Sequence, residues 1–137
     1  MDILFLVGRI LFGLLFIASG LMGHIAGYGQ MRGYVQSKGL PLAGPAVLVS
    51  GIGIVAAGIG VIVGRADFAA LAITVFLFFT AFFMHRFWKE QDAMARINEM
   101  TQFQKDLALL GSALVFLAVT ASGADFGATL VQPIFAS

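Results

Sequence analysis

Titratable side chains stand at the ends of the apolar runs of this chain, where they are well placed for chemistry. His24 closes the first run, and His85 and Arg86 close the third, where "FFMHRFW" passes from phenylalanine to cationic residues. Lys105 and Asp106 open the fourth run. If the runs form antiparallel helices, all of these side chains lie near one end of a bundle. We therefore predict that they form a ligand-binding site.

Phenylalanines precede this polar end and supply a second part of the candidate site. Phe79, Phe82 and Phe83 come shortly before His85 in the sequence. Such rings could line a pocket for a lipophilic ligand such as a quinone, with its headgroup among the polar residues. The ordinary alternative is that the rings face lipid or fill the bundle. The sequence leaves both interpretations open.

The polar residues also have simpler roles that require no ligand. Both histidines stand where a helix would leave a membrane, and Asp106 suits the first turn of a helix, where a carboxylate caps free N–H groups. Haem ligation by the two histidines is poorly supported, because no ligand-spacing pattern surrounds them. The sequence contains no nucleophile–base grouping, phosphate-binding loop or metalloprotease motif. We predict no catalytic residue, no metal site and no cofactor. A quinone would be the ligand if the protein were a quinone-reactive oxidoreductase component.

The composition indicates which solvent surrounds these residues. The 137 residues are 60% hydrophobic and 11% charged, whereas a soluble domain has about 25% charge. Because so little charge cannot cover a water-facing surface, we predict that the chain lies in a lipid bilayer. No basic stripe accompanies the net charge of +1, which argues against nucleic acid as a partner. The lack of cysteine excludes disulfides, thiolate metal sites and thiol redox chemistry.

Four apolar runs are long enough, or nearly so, to cross a hydrocarbon core, which takes roughly 20 helical residues. The first run has no positive side chain before it, unlike a signal peptide, and we expect it to be retained. The runs are continuous rather than alternating, which favours helices over membrane strands. The predicted fold class is all-α, an integral membrane four-helix bundle in a single domain. The predicted spans are 3–23, 43–63, 68–84 and 107–121 of residues 1–137.

The connections between the spans differ in length. The first, 24–42, is rich in glycine, and the second is the tight turn "GRAD", which makes spans two and three antiparallel neighbours. The third, 85–106, is long and polar. It predicts an amphipathic segment in the membrane interface between spans three and four, with a solvated loop as the alternative. The apolar residues of that segment are Met94, Ile97, Met100 and Phe103.

Small residues predict how the spans pack, because close backbone approach substitutes for the hydrophobic effect in lipid. The second span carries small residues alternately four and three positions apart, which would form a seam along one face. The first and fourth spans carry glycines that could pack against this seam. The predicted packing residues are Gly53, Ala57, Gly60 and Gly64 in the second span, Gly13 and Gly20 in the first and Gly111 in the fourth.

One charged residue lies inside an apolar run. Arg9 stands about 9 Å beyond the start of the first span at the rise of an α-helix, where a charge is costly. We predict a buried ion pair for Arg9, with Asp2, Asp67 and Asp125 as candidate partners on its side of the membrane. A side chain that snorkels to the headgroups is the alternative.

Basic residues in the loops predict the orientation. One side of the membrane has Arg65 alone in its loop, whereas the other side receives six basic residues. The positive-inside rule therefore places both termini outside the cytoplasm. The six are Arg32, Lys38, Arg86, Lys89, Arg96 and Lys105.

Four stretches resemble the DoxX family of small bacterial membrane proteins. They are "GRILFGLLFIASGL" at 8–21, "SKGLP" at 37–41, "HRFW" at 85–88 and "FQKDLALLGSALVF" at 103–116. The resemblance implies a four-helix protein of the bacterial inner membrane. It also implies an association with redox functions, through kinship to the DoxD subunit of thiosulfate:quinone oxidoreductase. Family members are further linked to a membrane oxidoreductase complex that contains a superoxide dismutase and a sulfurtransferase.

The resemblance also implies which positions of this chain correspond to residues that recur in the family. At two further positions this chain differs from the family pattern. Ile54 stands where many members have a glutamate, and Asp106 stands where many have asparagine. The missing intramembrane carboxylate removes a candidate for proton handling, which argues against an independent redox activity. The recurrent positions are Arg9, Gly20, Lys38, Gly39, Pro41, His85, Arg86, Trp88, Lys105, Leu107 and Gly111.

Two functions follow from these observations. The first is an accessory or anchoring subunit, without catalysis of its own, that joins other membrane subunits in a redox or energy-converting complex. The second is a quinone-reactive oxidoreductase component with a headgroup site at the cytoplasmic face. A transporter is less well supported, because the sequence lacks a pair of broken helices.

Overall fold

The chain forms helices throughout the described residues of a computed structural model, which are 2–124, 127–131 and 134. Two π-helical segments extend the first and fourth helices, and a 3₁₀ turn at Phe87–Lys89 leads into the last one. No strand occurs among the described residues, and the prediction of an all-α fold is confirmed. The α-helices are α1 (Asp2–Ala18), α2 (Tyr28–Ser37), α3 (Ala43–Val63), α4 (Ala66–Phe79) and α5 (Ala93–Ala121), and the π-helical segments are Ser19–Ala26 and Thr80–Met84.

Four helical stretches of the described chain are long and apolar enough to cross a membrane. Their outward faces carry large exposed apolar side chains such as Leu4, Val49 and Val115. A water-soluble protein rarely exposes contiguous apolar surface on this scale. The chain is therefore a multi-pass membrane protein. The stretches are Ile3–Ala26, Ala43–Val63, Ala66–Lys89 and Ala93–Ala121.

The predicted amphipathic segment is helical, but it forms the first half of α5 rather than a separate helix. Asp92 begins this helix, because its side chain accepts a hydrogen bond from the backbone N–H of Ala95 at 2.8 Å. From there α5 runs without a break to Ala121. The polar residues after Asp92 therefore continue the fourth span beyond its apolar part.

Helix α2 occupies the glycine-rich connection, where the sequence pattern did not indicate a helix. Gly29 and Gly33 lower the intrinsic helix propensity of this stretch, but both are exposed and leave the packed face intact. On that face Val35 packs with Val47 of α3 and with Met84, at the end of the fourth helix. Tertiary packing thus holds α2 across one end of the bundle.

Helices α1 and α3 approach each other through glycine. A Cβ atom on Gly13 would lie 2.5 Å from the carbonyl oxygen of Gly58, and one on Gly20 would lie 2.7 Å from that of Gly51. A Cβ on Gly58 would likewise lie 2.6 Å from the carbonyl oxygen of Gly13. Gly13 and Gly20 therefore lie at the crossing, and Gly51 and Gly58 are their partners.

The seam predicted for α3 does not lie on the face of the helix that contacts α1 through Gly51 and Gly58. At about 100° per residue, Gly53 is roughly 200° around the helix from Gly51. Gly60 contacts α4, where a Cβ would lie 2.9 Å from that of Ala69, and Gly64 ends α3 with a φ of 108°. Ala57 is buried in the core.

Two of the predicted packing glycines need correction. Gly53 and Gly111 are exposed, and a Cβ atom on either would meet nothing within 4 Å among the described residues. Both glycines therefore lie on outward faces of the bundle and pack against no other helix of the described chain.

The core between the four spanning helices is apolar. It includes Phe12 of α1, Ile54 of α3, Ile73 of α4 and Ala113 of α5. Ile54 is 3% exposed, so this position, where the resemblance implied a glutamate in other proteins, is here part of the hydrophobic core.

Arg9 lies at the opposite end of the bundle from α2 and is fully buried. Its Nη2 donates to the carbonyl oxygen of Ala128, and its Nε and Nη1 have no hydrogen-bond partner among the described residues. Asp67 instead pairs with Arg65 at 3.3 Å and accepts from the backbone N–H of Ile134 at 2.6 Å. No described carboxylate pairs with Arg9; Asp125 and the side chain of Asp2 lie outside the description.

Candidate functional site

A cavity of about 500 Å³ lies at the predicted cytoplasmic end of the bundle. Its walls come from α2, α3, α4, α5 and the two π-helical segments. The structure brings six of the eight predicted site residues to this cavity: His24, Phe79, Phe83, His85, Lys105 and Asp106.

The other two predicted site residues lie outside the cavity lining. Arg86 turns toward α2, where its Nη2 donates to the carbonyl oxygen of Lys38 at 2.5 Å. It thereby holds the C-terminal end of α2 against the third loop, which connects the end of the fourth helix to α5. Phe82 packs edge-on against Phe103 of α5, with 5.5 Å between the ring centroids. These two residues support the structure around the cavity.

His85 stands between two carboxylates at the polar end of the cavity. Its Nδ1 lies 2.8 Å from Oε2 of Glu99, and its Nε2 lies 3.6 Å from Oδ2 of Asp106. Asp106 also accepts from the hydroxyl of Thr80 at 2.7 Å and faces the ammonium of Lys105 at 3.4 Å. Because the Asp106 side chain is almost fully buried, these neighbours supply the hydrogen bonds and the opposite charge that a buried carboxylate needs.

Glu99 joins α5 to α2 on the outer side of His85. The hydroxyl of Tyr34 lies 2.8 and 3.0 Å from the two carboxylate oxygens of Glu99 and donates to them. The ammonium of Lys38 lies 2.7 Å from Glu99 and also 2.7 Å from Glu90. These contacts form a continuous polar cluster of Tyr34, Lys38, His85, Glu90, Glu99 and Asp106.

The cluster shifts the pKa of two side chains at the C-terminal end of α2, Tyr34 and the C-cap residue Lys38. Burial, the hydrogen bond to Glu99 and the nearby charges of Glu90 and Asp106 raise the pKa of the Tyr34 phenol well above its usual 10.0. Burial lowers the pKa of the Lys38 ammonium, but its hydrogen bonds to the two glutamates outweigh burial and raise that pKa overall. Both side chains therefore remain protonated donors at neutral pH.

His24 lies on another wall of the cavity and is buried. Its Nδ1 lies 3.2 Å from the carbonyl oxygen of Ser19, and its ring is edge-on to Phe76 with 5.9 Å between centroids. A carbonyl oxygen only accepts, so we assign the proton of the neutral ring to Nδ1. Nε2 of His24 is then free to accept a hydrogen bond from a ligand.

The two π-helical segments both border the cavity. His24 belongs to the first segment, and Thr80 and Phe83 belong to the second. The backbone N–H of His85 donates to the carbonyl oxygen of Thr80, five residues earlier, at 3.0 Å. These wider turns change the register of the following side chains, and such turns are frequent at functional sites.

The apolar part of the cavity faces the bilayer. Phe79 and Phe83 line the cavity, yet their residues are 55% and 43% exposed on the outside of the bundle. Met31 and Val47 continue the apolar lining toward α2 and α3. A lipophilic molecule could therefore enter from the side, with its polar atoms toward His85.

The described side chains do not assemble a metal centre. No group of three or more histidine, cysteine, aspartate or glutamate residues in the described ranges has the arrangement to hold a metal ion. Nδ1 of His24 contacts a backbone carbonyl, whereas both ring nitrogens of His85 face carboxylates. The arrangement is suited to holding and passing protons beside an apolar ligand.

A family model matches the part of the chain from α1 to the end of the fourth helix. The DoxX family model matches residues 4–86, which is more than half of the chain. The chain belongs to the DoxX family. The resemblance predicted from the sequence is thus confirmed. No curated protein and no solved structure matches this DoxX chain.

The DoxX match ends at Arg86, so it includes His24 and His85 but not α5. Glu99, Lys105 and Asp106 therefore enter the site from the part of the chain beyond the match. Sequence reasoning missed Tyr34 and Glu99 as site residues. One signal for this end of α2 was the stretch "SKGLP" of the family resemblance, because its Lys38 bonds directly to Glu99.

Proposed function

We propose that this DoxX protein is a membrane subunit that binds a quinone-type ligand in the cavity. The ring would lie among Phe76, Phe79 and Phe83, and the ring oxygens would lie toward His85 and Asp106. The observation that carries this proposal is a cavity that is lined by outward-exposed phenylalanines on one side and by the buried carboxylate of Asp106 and the imidazole of His85 at its polar end.

The size and charge of the cavity favour a neutral headgroup. Its volume of about 500 Å³ lies in the range of small-molecule sites. Each of these charges already has a partner of opposite sign, because Lys105 faces Asp106 and Lys38 faces Glu90 and Glu99. An ionic ligand would compete for these partners, whereas a neutral one with hydrogen-bonding oxygens would not.

The cavity offers hydrogen-bond partners for both redox forms of such a ligand. The ammonium of Lys105 can donate to a carbonyl oxygen. Nε2 of His24 and the carboxylate of Asp106 can accept from a hydroxyl. A quinone, when bound, supplies a two-electron, two-proton carrier; this chain would bind it, orient it and exchange its protons.

Binding can be tested with two neighbouring phenylalanines that differ in position. We expect Phe83→Ala to weaken binding of a short-chain naphthoquinone by roughly tenfold, which is about 1.4 kcal/mol, because Phe83 lines the cavity. Phe82→Ala is the matched control, because Phe82 packs on Phe103 outside the lining. Equilibrium dialysis of the purified protein in nanodiscs measures both affinities. Absence of saturable binding, or equal loss in both variants, would contradict the proposal.

An accessory role in a larger redox complex is a second proposal, supported by a separate observation. Gly53 and Gly111 expose bare backbone on outward faces of α3 and α5, and such positions permit the close approach of another helix. Purification in mild detergent should then yield stoichiometric partner subunits, and Gly53→Leu should reduce their recovery. A homogeneous lone bundle from native membranes would count against this role.

A further inference from the structure

We propose that His85 relays protons between Glu99, on the aqueous side of the cluster, and Asp106, inside the cavity. This inference rests on the proposed function, because the molecule that exchanges protons with Asp106 is the quinone-type ligand. It adds a route for those protons and assigns its steps to three residues on two structural elements.

Asp106 is the least exposed residue of this route. Its side chain is 5% exposed, whereas those of Glu99 and His85 are 12% and 14% exposed, and Glu99 does not line the cavity. His85 is the described side chain that contacts both Glu99 and Asp106. A proton that leaves Asp106 toward water along this cluster therefore meets the imidazole first.

The hydrogen bonds around His85 show where a mobile proton must be. Glu99 accepts from Tyr34 and Lys38, so Nδ1 of His85 acts as a further donor to it. In a neutral ring Nε2 then has no proton, although it faces Asp106, whose Oδ2 already accepts from Thr80. Two acceptors would face each other there, and one shared proton, on Nε2 or on Asp106, removes this conflict.

Each proton moves outward in steps that balance. Starting with the shared proton on Nε2, Nδ1 of His85 gives its proton to Glu99, and Glu99 releases it to water. Rotation of the ring about χ2 then presents the unprotonated nitrogen to Asp106. Asp106 accepts a proton from the hydroxyl of the reduced ligand and passes it to that nitrogen, which restores the starting state. The ligand's two electrons pass to a one-electron oxidant, two equivalents per ligand.

The charged and titratable groups around His85 in the described part of the chain lie in the polar cluster, on the cavity wall or, for Arg86, in the loop that follows the fourth helix. They are His24 across the cavity, Tyr34 and Lys38 on α2, Arg86 and Glu90 in the third loop, and Glu99, Lys105 and Asp106 on α5.

The test follows proton release when the bound ligand is oxidised. Protein in nanodiscs is loaded with a short-chain naphthoquinol, freed of unbound quinol by gel filtration and mixed with ferricyanide, which takes electrons but no protons. Ligand absorbance reports oxidation, and a pH-indicator dye reports proton release. In the wild type the two signals should coincide.

Two variants and one matched control decide the outcome. In His85→Gln and in Glu99→Gln, proton release should lag behind oxidation by at least tenfold, and added imidazole should restore the rate in His85→Gln. Glu90→Gln makes the same chemical change as Glu99→Gln, but Glu90 bonds to Lys38 rather than to His85, so its rate should match the wild type.

The possible results separate this inference from the proposed function. Proteins that bind no quinol would contradict the proposed function. Normal quinol affinity with no lag in either variant would overturn the relay alone. An equal lag in Glu90→Gln would also overturn it, since a general change in charge would then explain the effect. Glu99→Gln keeps the test decisive if His85→Gln proves unstable.

Discussion

Single side chains of α2 maintain the charges at the polar end of the cavity. Tyr34 and Lys38 both donate to Glu99 and so stabilise the charged form of a carboxylate that is mostly withdrawn from water. Glu99 in turn lies 2.8 Å from Nδ1 of His85 and can accept its proton. The hydrogen-bond partner of His85 is therefore held in place by two residues that lie some fifty positions earlier in the sequence.

The phenol of Tyr34 provides a direct measure of this arrangement. Because its pKa is raised above 10.0, the stabilisation is fully present below pH 10 and is lost as the pH rises through the higher folded-state pKa. In a Tyr28→Phe background, where Tyr34 is the single tyrosine, phenolate absorbance should appear only well above pH 10. Adding Glu99→Gln should lower the titration midpoint. A midpoint near 10.0 in both proteins would contradict the prediction.

At the level of elements, the crossing of α1 and α3 fixes the position of His24. A Cβ on Gly51 would lie 2.5 Å from the Cβ of His24, so the lack of a side chain at position 51 gives the histidine its place against α3. One turn earlier in the chain, Gly20 meets the same part of α3. The crossing therefore determines both helix spacing and the shape of the cavity wall.

Adding one methyl group to α3 should separate the two helices. Gly58→Ala would place a Cβ 2.6 Å from a backbone oxygen of Gly13, which a side-chain rotation cannot relieve, and we expect a loss of about 1–3 kcal/mol in the free energy of unfolding. Gly53→Ala is the control, because that position is open and alanine favours the helix by about 1 kcal/mol. Thermal unfolding in detergent compares them. Similar melting temperatures in the two variants would argue against a tight crossing.

At the scale of the whole molecule, the two ends of the bundle are built differently. The end with α2 holds the polar cluster and the cavity. At the other end, the backbone N–H groups of Leu130 and Val131 both donate to the carbonyl oxygen of Val63, at 2.9 and 3.0 Å. Residues 127–131 thus lie against the turn between α3 and α4 and supply the carbonyl that accepts from Arg9.

The predicted orientation assigns these ends to opposite sides of the membrane. Because the chain has no cysteine, single cysteines can report the side without background. In intact spheroplasts, an impermeant maleimide should label Ala124→Cys and should label Gln91→Cys only after the membrane is permeabilised. Both positions are exposed. The reverse pattern would show that the basic third loop faces outward and that the positive-inside rule fails for this chain.

The sequence alone predicted at which end of the bundle the candidate site lies. It predicted less well which faces of the helices contribute side chains to that site. The apolar runs end at the same membrane face, so His24, His85, Lys105 and Asp106 could be grouped from topology alone. Their grouping with Phe79 and Phe83, but not Phe82, depends on which face of the fourth helix turns inward. Packing against the other helices determines which face turns inward. The sequence of a helix that is apolar on all sides gives little information about that face.

The same limit explains the error in the packing glycines. Small residues of α3 occur on more than one face, so its spacing pattern fits several seams, and the choice of Gly51 and Gly58 over Gly53 requires knowledge of the partner. Helix α2 was missed for another reason. Its glycines reduce local propensity, while its stability comes from contacts with residues such as Val47 and Glu99 that are distant in sequence.

The length of α5 has a consequence for how the protein responds to its lipids. Its 29 residues span about 44 Å at the rise of an α-helix, whereas the hydrocarbon core is about 30 Å thick. Counted back from Ala121, roughly 20 residues fill that core, so its boundary falls near Gln102, between Asp106 and Glu99. A thinner or thicker bilayer would change the tilt of α5 and shift this boundary along the polar cluster. Acyl-chain length is therefore a variable that can alter the hydration of His85 without any change in the protein.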